Sequence, residues 1–284
     1  MKIVFMGTPD FSVPTLKALV ESRHEVIACY TQPDKPKGRG NVVTMTPVKE
    51  FCLEHHIPVY QPKRIKREEE VSRFSALGAD LAVVIAYGQI LSKELLDAPK
   101  YGCMNIHASL LPKYRGAAPY QWAVIQGEKI SGVTTMYMDE GMDTGDMLLT
   151  SEILLEEKET AGSLHDKLML LGGDLILKTI DALEAGTLKR IPQDSSLATH
   201  APLLDKNYGK IRWDKKAEEI ERLIRGLNPW PSAFTYLDGN LLKIWAADVI
   251  DHQEFEGRSD EMHEGTILAV LPKEGFVVKC NQSA

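Results

Sequence analysis

Residues 2–30 of the chain are KIVFMGTPDFSVPTLKALVESRHEVIACY. The two ends of this segment, 2–6 and 26–30, are apolar and rich in β-branched residues, which is typical of strands buried on both faces. Between them, the apolar residues of 13–22 recur at helical intervals. A strand, a helix and a second buried strand in this order predict parallel strands that are joined by a crossover helix.

The same alternation continues along the first half of the chain. A helical pattern at 48–56 precedes another apolar run, 81–86 (LAVVIA). Further strands are predicted at 103–107, 132–138 and 147–154, and further helices at 119–126 and 160–184. Thr160 is a suitable N-cap for the last helix, and Gly186 a suitable residue to end it. We expect a doubly wound α/β domain with a mostly parallel sheet, whose ligands bind beyond the carboxyl ends of the strands.

The second half of the chain has a different character. From about residue 187 the sequence contains Pro192, Pro202 and several Ser and Thr without a clear period, which indicates an interdomain linker. A helix at 216–226 and short strands at 233–237, 241–246, 266–271 and 275–280 follow. We therefore predict a catalytic domain over 1–189, a linker over 190–205 and a small, mostly β domain with the pattern of a barrel over 206–284.

Composition excludes several classes of protein. The chain has 284 residues, 44% of them hydrophobic and 26% charged, which is typical of a globular protein and unlike a disordered or fibrous one. No apolar run approaches the roughly 20 residues that span a bilayer, and no signal peptide is recognised. The four cysteines are far apart, which predicts reduced thiols in the cytoplasm and no metal site. A net charge of −7 argues against a uniformly basic nucleic-acid-binding surface.

The turn after the first strand does not match a dinucleotide-binding loop. It is Gly7-Thr8-Pro9-Asp10-Phe11, with bulky residues where a pyrophosphate would require glycines. A tight strand-to-helix turn is the simpler interpretation, with direct ligand contact as the alternative. NAD and FAD are therefore not expected.

Residues with the chemistry of a carbonyl-transfer site follow the strand at 103–107. Asn105 and His107 are two apart and so face the same side of that strand near its carboxyl end. An amide donates a hydrogen bond to a carbonyl oxygen without titrating, and an imidazole exchanges protons near neutral pH. Asp143 lies in a loop with three other carboxylates, which indicates either a solvated hairpin or a carboxylate that approaches His107 and favours the imidazolium form.

The chain resembles the folate-dependent formyltransferase family from its first residue to about Cys280. The resemblance rests on GTPDFSVPTL, QPDKPKGRG, NIHASLLPKYRGAAPYQWAVIQGE, GVTTMYMDEGMDTGDML and GLNPWPSAFT. It implies a Rossmann-like catalytic domain and an OB-like second domain. The family's second domain usually continues for some tens of residues, so the second domain is expected to be truncated here.

The resemblance also implies site residues and substrates. Asn105, His107 and Asp143 match the catalytic trio of the family, and Ser109, Leu110, Leu111 and Pro112 match its folate-binding stretch. The implied reaction transfers the formyl group of 10-formyltetrahydrofolate to the free amino group of methionine esterified to initiator tRNA, as translation initiation requires. We expect a cytoplasmic monomer that binds folate and tRNA, without a metal or a membrane partner.

Two basic segments are candidates for tRNA contact. Residues 31–49 carry Lys35, Lys37, Arg39 and Lys49 with one acid, and they exceed the about two to six residues of an ordinary strand-to-helix connection. A mobile binding loop fits this segment, a solvated surface loop being the alternative, and the resemblance implies that Arg39 reaches the end of the acceptor arm. Residues 206–225 hold seven basic and four acidic side chains, among them Lys206, Lys210 and Arg212. On its own this small excess of positive charge favours a solvated amphipathic face, and the OB-like domain that the resemblance implies makes the segment a candidate for phosphate contact.

The sequence is compatible with two other kinds of function. A related enzyme could formylate a small amine or hydrolyse formyltetrahydrofolate, although the basic segment 31–49 and the second domain argue against both. A non-catalytic folate- or RNA-binding protein is a further alternative, which the joint presence of Asn105, His107 and Asp143 disfavours. Measured tRNA-dependent formylation distinguishes these functions.

Overall fold

The structure is a computed structural model that describes residues 1–37, 40–250, 262–273 and 275–281. The strands are β1 (Lys2–Gly7), β2 (Glu25–Tyr30), β3 (Lys35–Lys37), β4 (Val42–Thr44), β5 (Val59–Tyr60), β6 (Leu81–Ile85), β7 (Cys103–His107), β8 (Ile130–Tyr137), β9 (Met147–Leu154), β10 (Ala233–Leu237), β11 (Asn240–Ile244), β12 (Ile267–Leu271) and β13 (Gly275–Val278). The helices are α1 (Val13–Val20), α2 (Pro47–Glu54), α3 (Glu68–Ala76), α4 (Lys93–Asp97), α5 (Pro119–Gln126), α6 (Ala161–Glu184) and α7 (Ala217–Gly226).

A seven-stranded sheet has the order β5-β2-β1-β6-β7-β8-β9. The pairs β1–β2, β1–β6, β2–β5 and β6–β7 are parallel, and β7–β8 is antiparallel. The strand order reverses between β1 and β6. The strands β2 and β5 lie on one side of β1, and the strands from β6 to β9 lie on its other side. The predicted doubly wound, mostly parallel sheet is confirmed, and the second domain, predicted as a small, mostly β barrel of OB-like type, is a small domain with antiparallel strands.

The chain divides into two compact units, each assembled from separate stretches. Unit 1 comprises 1–116, 130–153 and 165–200, and unit 2 comprises 117–129, 154–164 and 201–284. The division predicted at 1–189, 190–205 and 206–284 follows sequence order and stays a prediction. In unit 1, one core cluster packs β1, β2 and β6 side chains such as Val4, Tyr30 and Val84 against Phe74 of α3.

Unit 2 has its own core. Ile220 and Ile224 of α7 pack with Ala233 of β10, Ile211 and Cys280. The helix α5 packs on α7 within the same unit. Two antiparallel hairpins, β10–β11 and β12–β13, are the strand pairs of unit 2 in the ranges that the structure describes.

Most predicted elements coincide with observed ones within a few residues, and the differences concern short elements. The hairpin β3–β4 lies inside 31–49, which the sequence predicts as a loop, and β5 and α4 are not predicted. These elements have two to five residues, which is too short for a hydrophobic period to be recognised. The first part of the segment predicted as a linker belongs to unit 1, in which Ile191 and Met147 exchange two backbone hydrogen bonds of 2.9 Å.

In the described part of the chain, none of the helices is both long and apolar enough to cross a membrane. The longest, α6, has 24 residues. Its start is stabilised as the sequence predicts, since Thr160 Oγ1 accepts a hydrogen bond from Ser163 N and Ser163 Oγ accepts one from Thr160 N, both of 3.0 Å. Gly186, at φ +66°, follows its end in the left-handed conformation.

Replacing this cap tests its contribution to stability. Thr160→Ala should lower the free energy of unfolding by about 1 kcal/mol, because the Ser163 amide loses its acceptor. Denaturant titration followed by circular dichroism measures the change. The control Thr187→Ala removes an exposed hydroxyl that makes only a 3.3 Å contact with Ala182 O, and should stay within about 0.5 kcal/mol of the parent. Equal losses in the two variants would contradict the capping role.

Candidate active site

His107 is the last residue of β7 and is buried, with 6% of its surface exposed. Its Nε2 lies 2.8 Å from the backbone oxygen of Tyr114. Because a carbonyl oxygen only accepts hydrogen bonds, Nε2 must carry a proton in this arrangement. Nδ1 is therefore the atom at which the imidazole gains or loses a proton.

Asp143 faces that atom. Its Oδ2 lies 3.6 Å from His107 Nδ1 and accepts a hydrogen bond of 2.9 Å from the amide of Gly116. The backbone of Asp143 has φ +55°, in the left-handed region that residues other than glycine seldom adopt. The structure thus brings together two of the three predicted catalytic residues from separate parts of the chain.

Asn105 lies on the same strand, two residues before His107. Its neighbours in the sheet are Val84 of β6 and Met136 of β8, and its side chain is partly exposed. The side-chain amide of Asn105 forms no hydrogen bond with any other residue that the structure describes. The amide is therefore free to donate to a substrate oxygen.

The predicted folate-binding stretch, residues 109–112, is a folded turn. Ser109 is 1% exposed and its hydroxyl donates to Lys113 O at 2.7 Å, so this hydroxyl is engaged within the turn. Thr134 of β8 holds the turn in place, because its hydroxyl donates a hydrogen bond to Ser109 O at 2.7 Å and accepts one from Leu111 N at 3.2 Å. Leu110 and Pro112 are partly exposed and are the members of the stretch that can present apolar surface to a ligand.

Two residues that hold this site are missed by the sequence interpretation. Thr134 lies in a strand whose pattern indicates only burial, and Gln193 lies in a segment that was predicted to be a linker. Gln193 donates hydrogen bonds to the backbone of the Asp143 loop. No local pattern distinguishes either residue, because the groups they contact lie 23 or more positions away in the sequence.

The predicted tRNA-binding residues lie in different settings. Arg39 lies outside the described residues, while Lys35 and Lys37 belong to β3. Lys49 is paired with Asp34, and the hydrogen bonds from Lys49 and Gln61 lower the pKa of Asp34. Lys49 is thus already partnered within the protein.

Unit 2 contains an open, largely basic groove. Its volume is about 990 Å³ and its lining includes five basic side chains and two acidic ones, namely Lys210, Arg212, Lys215, Lys216, Arg222, Glu218 and Glu219. Arg212 forms a hydrogen-bonded pair with Asp214 at 2.6 Å, which lowers the charge it can offer a phosphate. Lys206 is exposed in the turn just before the groove residues. An excess of positive charge in a groove of this size suits a polyanion.

One cluster in the described ranges has the donor types of a metal site, namely His24, Asp181 and Glu184. Arg23 already contacts both carboxylates, and its hydrogen bond lowers the pKa of Glu184. Burial lowers the pKa of His24. Asp181 and Glu184 thus form ion pairs with Arg23.

Comparisons with known proteins agree on one family. The model of the formyl transferase family matches residues 1–180, and the model of the formyl transferase C-terminal domain matches residues 203–284. The methionyl-tRNA formyltransferase of Acetivibrio thermocellus is 53% identical over 280 residues, which cover 99% of this chain and 88% of that protein. The enzyme of the same name from Lachnospira eligens is 52% identical over 282 residues, 99% of this chain and 89% of its own.

Solved structures share the fold. An N-formyltransferase from Helicobacter canadensis, in complex with folinic acid and dTDP-3-aminofucose, has a TM-score of 0.69 and 17% identity, and the match covers 100% of this chain and 97% of that one. HypX from Aquifex aeolicus, in complex with tetrahydrofolic acid, has a TM-score of 0.67 and 18% identity over 100% of this chain and 43% of its own.

The Asp143 loop depends on Gly145. A Cβ at this position would collide with the backbone oxygen of Tyr137 and lie 2.8 Å from its carbonyl carbon. Gly145→Ala should therefore lower the free energy of unfolding by about 3 kcal/mol, because backbone atoms must move. The control Gly186→Ala meets no atom within 4 Å, so only its left-handed backbone costs energy, about 1 kcal/mol. Thermal or denaturant unfolding of both variants checks the difference, and equal losses would contradict the close contact.

Proposed function

This chain belongs to the formyl transferase family, and we propose that it transfers the formyl group of 10-formyltetrahydrofolate to the free amino group of methionine esterified to initiator tRNA. The product, formylmethionyl-tRNA, serves translation initiation. The chain is an enzyme of the one-carbon group transferases, and 10-formyltetrahydrofolate is its co-substrate. Relatives named methionyl-tRNA formyltransferase that are more than 50% identical over nearly the whole chain support the choice of tRNA over a small amine.

The approach of Asp143 to His107 carries the proposal. The 3.6 Å distance between Asp143 Oδ2 and His107 Nδ1 places a carboxylate at the one nitrogen that exchanges a proton. Such a pair suits a reaction that develops negative charge on a carbonyl oxygen and releases a proton from an amine. A protein that only binds folate or RNA does not require a carboxylate beside an imidazole in this way.

In the proposed mechanism the free amine attacks the formyl carbon. A new carbon–nitrogen bond forms, and the formyl oxygen becomes an oxyanion. The Asn105 side-chain amide and the Nδ1–H of the His107 imidazolium donate hydrogen bonds to that oxyanion, which lowers the barrier because both donors are positioned in advance. Nδ1–H is available for this bond because Nε2–H is engaged by Tyr114 O and Asp143 Oδ2 lies 3.6 Å from Nδ1, beyond hydrogen-bond distance. The bond between the formyl carbon and the folate nitrogen then breaks. Asp143 holds His107 and takes part in moving the proton from the amine to the departing nitrogen.

Folate binding is assigned to the turn at residues 109–112, with Leu110 and Pro112 as its accessible apolar members. The turn begins two residues after His107, at the carboxyl end of β7, where ligands of doubly wound sheets bind. Ser109 and Leu111 act by shaping the turn, since both are buried.

The tRNA is proposed to contact Lys35, Lys37 and Arg39 together with Lys206, Lys210 and Arg212. The basic groove of unit 2 supports the second group. We place the protein in the cytoplasm, where initiator tRNA is used, and propose that it acts as a monomer.

Removal of either oxyanion donor tests the reaction. Asn105→Ala and His107→Ala should each lower kcat by about 10²- to 10³-fold, since this is the usual cost of losing one such donor. Initial rates of formylation are measured with methionyl-tRNA and 10-formyltetrahydrofolate. His56→Ala, which removes an exposed imidazole, serves as the control and should keep the parent rate. Near-normal turnover in either site variant, or formylation of a small amine without tRNA, would contradict the proposal.

Salt dependence tests the tRNA contacts. Each phosphate contact that is lost should reduce the slope of log affinity against log salt by about 0.7 to 0.9. The double variant Lys206→Ala/Lys210→Ala should therefore bind methionyl-tRNA more weakly and with a slope smaller by about 1.5. Filter binding or fluorescence anisotropy at several salt concentrations measures the slope. Lys178→Ala, an exposed lysine of α6, is the control, and an unchanged slope in the double variant would count against this surface.

A further inference from the structure

Gln193 joins the buried Arg115 to the loop that carries Asp143. We propose that Gln193, oriented by Arg115, is a positioning residue that holds Asp143 against His107. The inference rests on the proposed function, since it concerns the same site. It assigns a role in catalysis to a segment that contains neither a substrate-binding motif nor a charged catalytic group.

Strand direction alone does not bring Asp143 to His107. β8 runs antiparallel to β7, with Met104 paired to Tyr137 and His107 paired to Thr134. The carboxyl end of β8 therefore lies beside the amino end of β7, away from His107. The loop that follows must return along β7, so contacts from other segments are required to hold it there.

Gln193 supplies two of those contacts. Its Nε2 donates hydrogen bonds to the backbone oxygens of Asp143 and Gly145, at 2.9 and 2.8 Å. The backbone is thus held on both sides of Thr144. Asp143 has a left-handed backbone, φ +55°, and a non-glycine residue keeps such a conformation only where its surroundings impose it.

Arg115 determines which way the Gln193 amide points. Its Nε and one terminal nitrogen donate to Gln193 Oε1 at 2.9 and 2.7 Å. A flipped amide would set its oxygen against two carbonyl oxygens and its NH₂ against a guanidinium, so the observed orientation is strongly favoured. Arg115 is 6% exposed, and a buried cation needs such acceptors.

The residues on either side of Arg115 contact the catalytic pair directly. Tyr114 O lies 2.8 Å from His107 Nε2, and Gly116 N donates to Asp143 Oδ2 at 2.9 Å. Thr199 holds this tripeptide in turn, because its hydroxyl accepts from Tyr114 N and its carbonyl from Arg115 N. Arg115 and Gln193 therefore connect the two sides of the catalytic pair through one set of hydrogen bonds.

Gln193→Glu isolates the positioning function. The carboxylate has the shape of the amide and still accepts from Arg115, but it cannot donate to the carbonyls of Asp143 and Gly145. We expect kcat to fall by roughly 10- to 100-fold, as small misplacements of catalytic groups do, while KM for 10-formyltetrahydrofolate stays within about threefold. Asn228→Asp is the matched control, since it removes an amide that donates to a backbone oxygen, Trp245 O, at 3.0 Å, and it should leave kcat unchanged.

Two further measurements separate positioning from a general structural role. In Asp143→Asn, adding Gln193→Glu should cost little more, because a residue that acts through Asp143 has no effect once the carboxylate is gone. Hydrogen exchange of the amides in 139–146 should rise by about tenfold in Gln193→Glu and stay unchanged in Asn228→Asp.

The outcomes distinguish this inference from the proposed function. If the parent enzyme formylates no methionyl-tRNA, the proposed function is wrong, and the exchange measurement alone decides whether Gln193 positions the loop. The positioning inference is overturned by a kcat within threefold of the parent, by losses that multiply in the double variant, or by unchanged exchange in 139–146.

Discussion

The site depends on one imidazole whose two nitrogens face different partners. Nε2 of His107 lies 2.8 Å from the backbone oxygen of Tyr114, so that nitrogen is committed to donating a hydrogen bond. Only Nδ1 can then exchange a proton, and it lies 3.6 Å from Asp143 Oδ2. The rest of the site follows from the need to hold a carboxylate at that nitrogen and an amide, Asn105, on the same strand.

The sheet provides one half of this arrangement and the loops provide the other. β7 lies between β6 and β8 and pairs with both, and His107 at its end pairs with Thr134 of β8. The Asp143 loop has no such support, because it leaves β8 near the opposite end of β7. Its position instead depends on the Gly116 amide, which donates to Asp143 Oδ2 at 2.9 Å, and on residues 190–193. Arg190 Nε donates to Asp146 at 2.8 Å, Ile191 pairs with Met147, and Gln193 contacts Asp143 and Gly145.

The parts of this site that could be predicted from the sequence are those with a local pattern. The strand period places Asn105 and His107 on one side of β7, and apolar runs locate β1, β2 and β6 within one or two residues. Gln193 could not be predicted, because a single glutamine in an aperiodic segment does not indicate which carbonyls it will contact 48 and 50 residues away. The prolines and the lack of a period in the same segment predict a linker, although the backbone of Ile191 pairs with Met147 as a strand would.

Residues that hold the site lie next to points at which the chain leaves unit 1. The chain passes from unit 1 to unit 2 after Gly116, after Ile153 and after His200. Thr199, next to the last of these points, accepts hydrogen bonds from the backbone amides of Tyr114 and Arg115, which lie next to the first. Among the described residues, the hydrogen-bond partners of His107 and Asp143 all belong to unit 1. The geometry of the His107–Asp143 pair is therefore determined by contacts within unit 1.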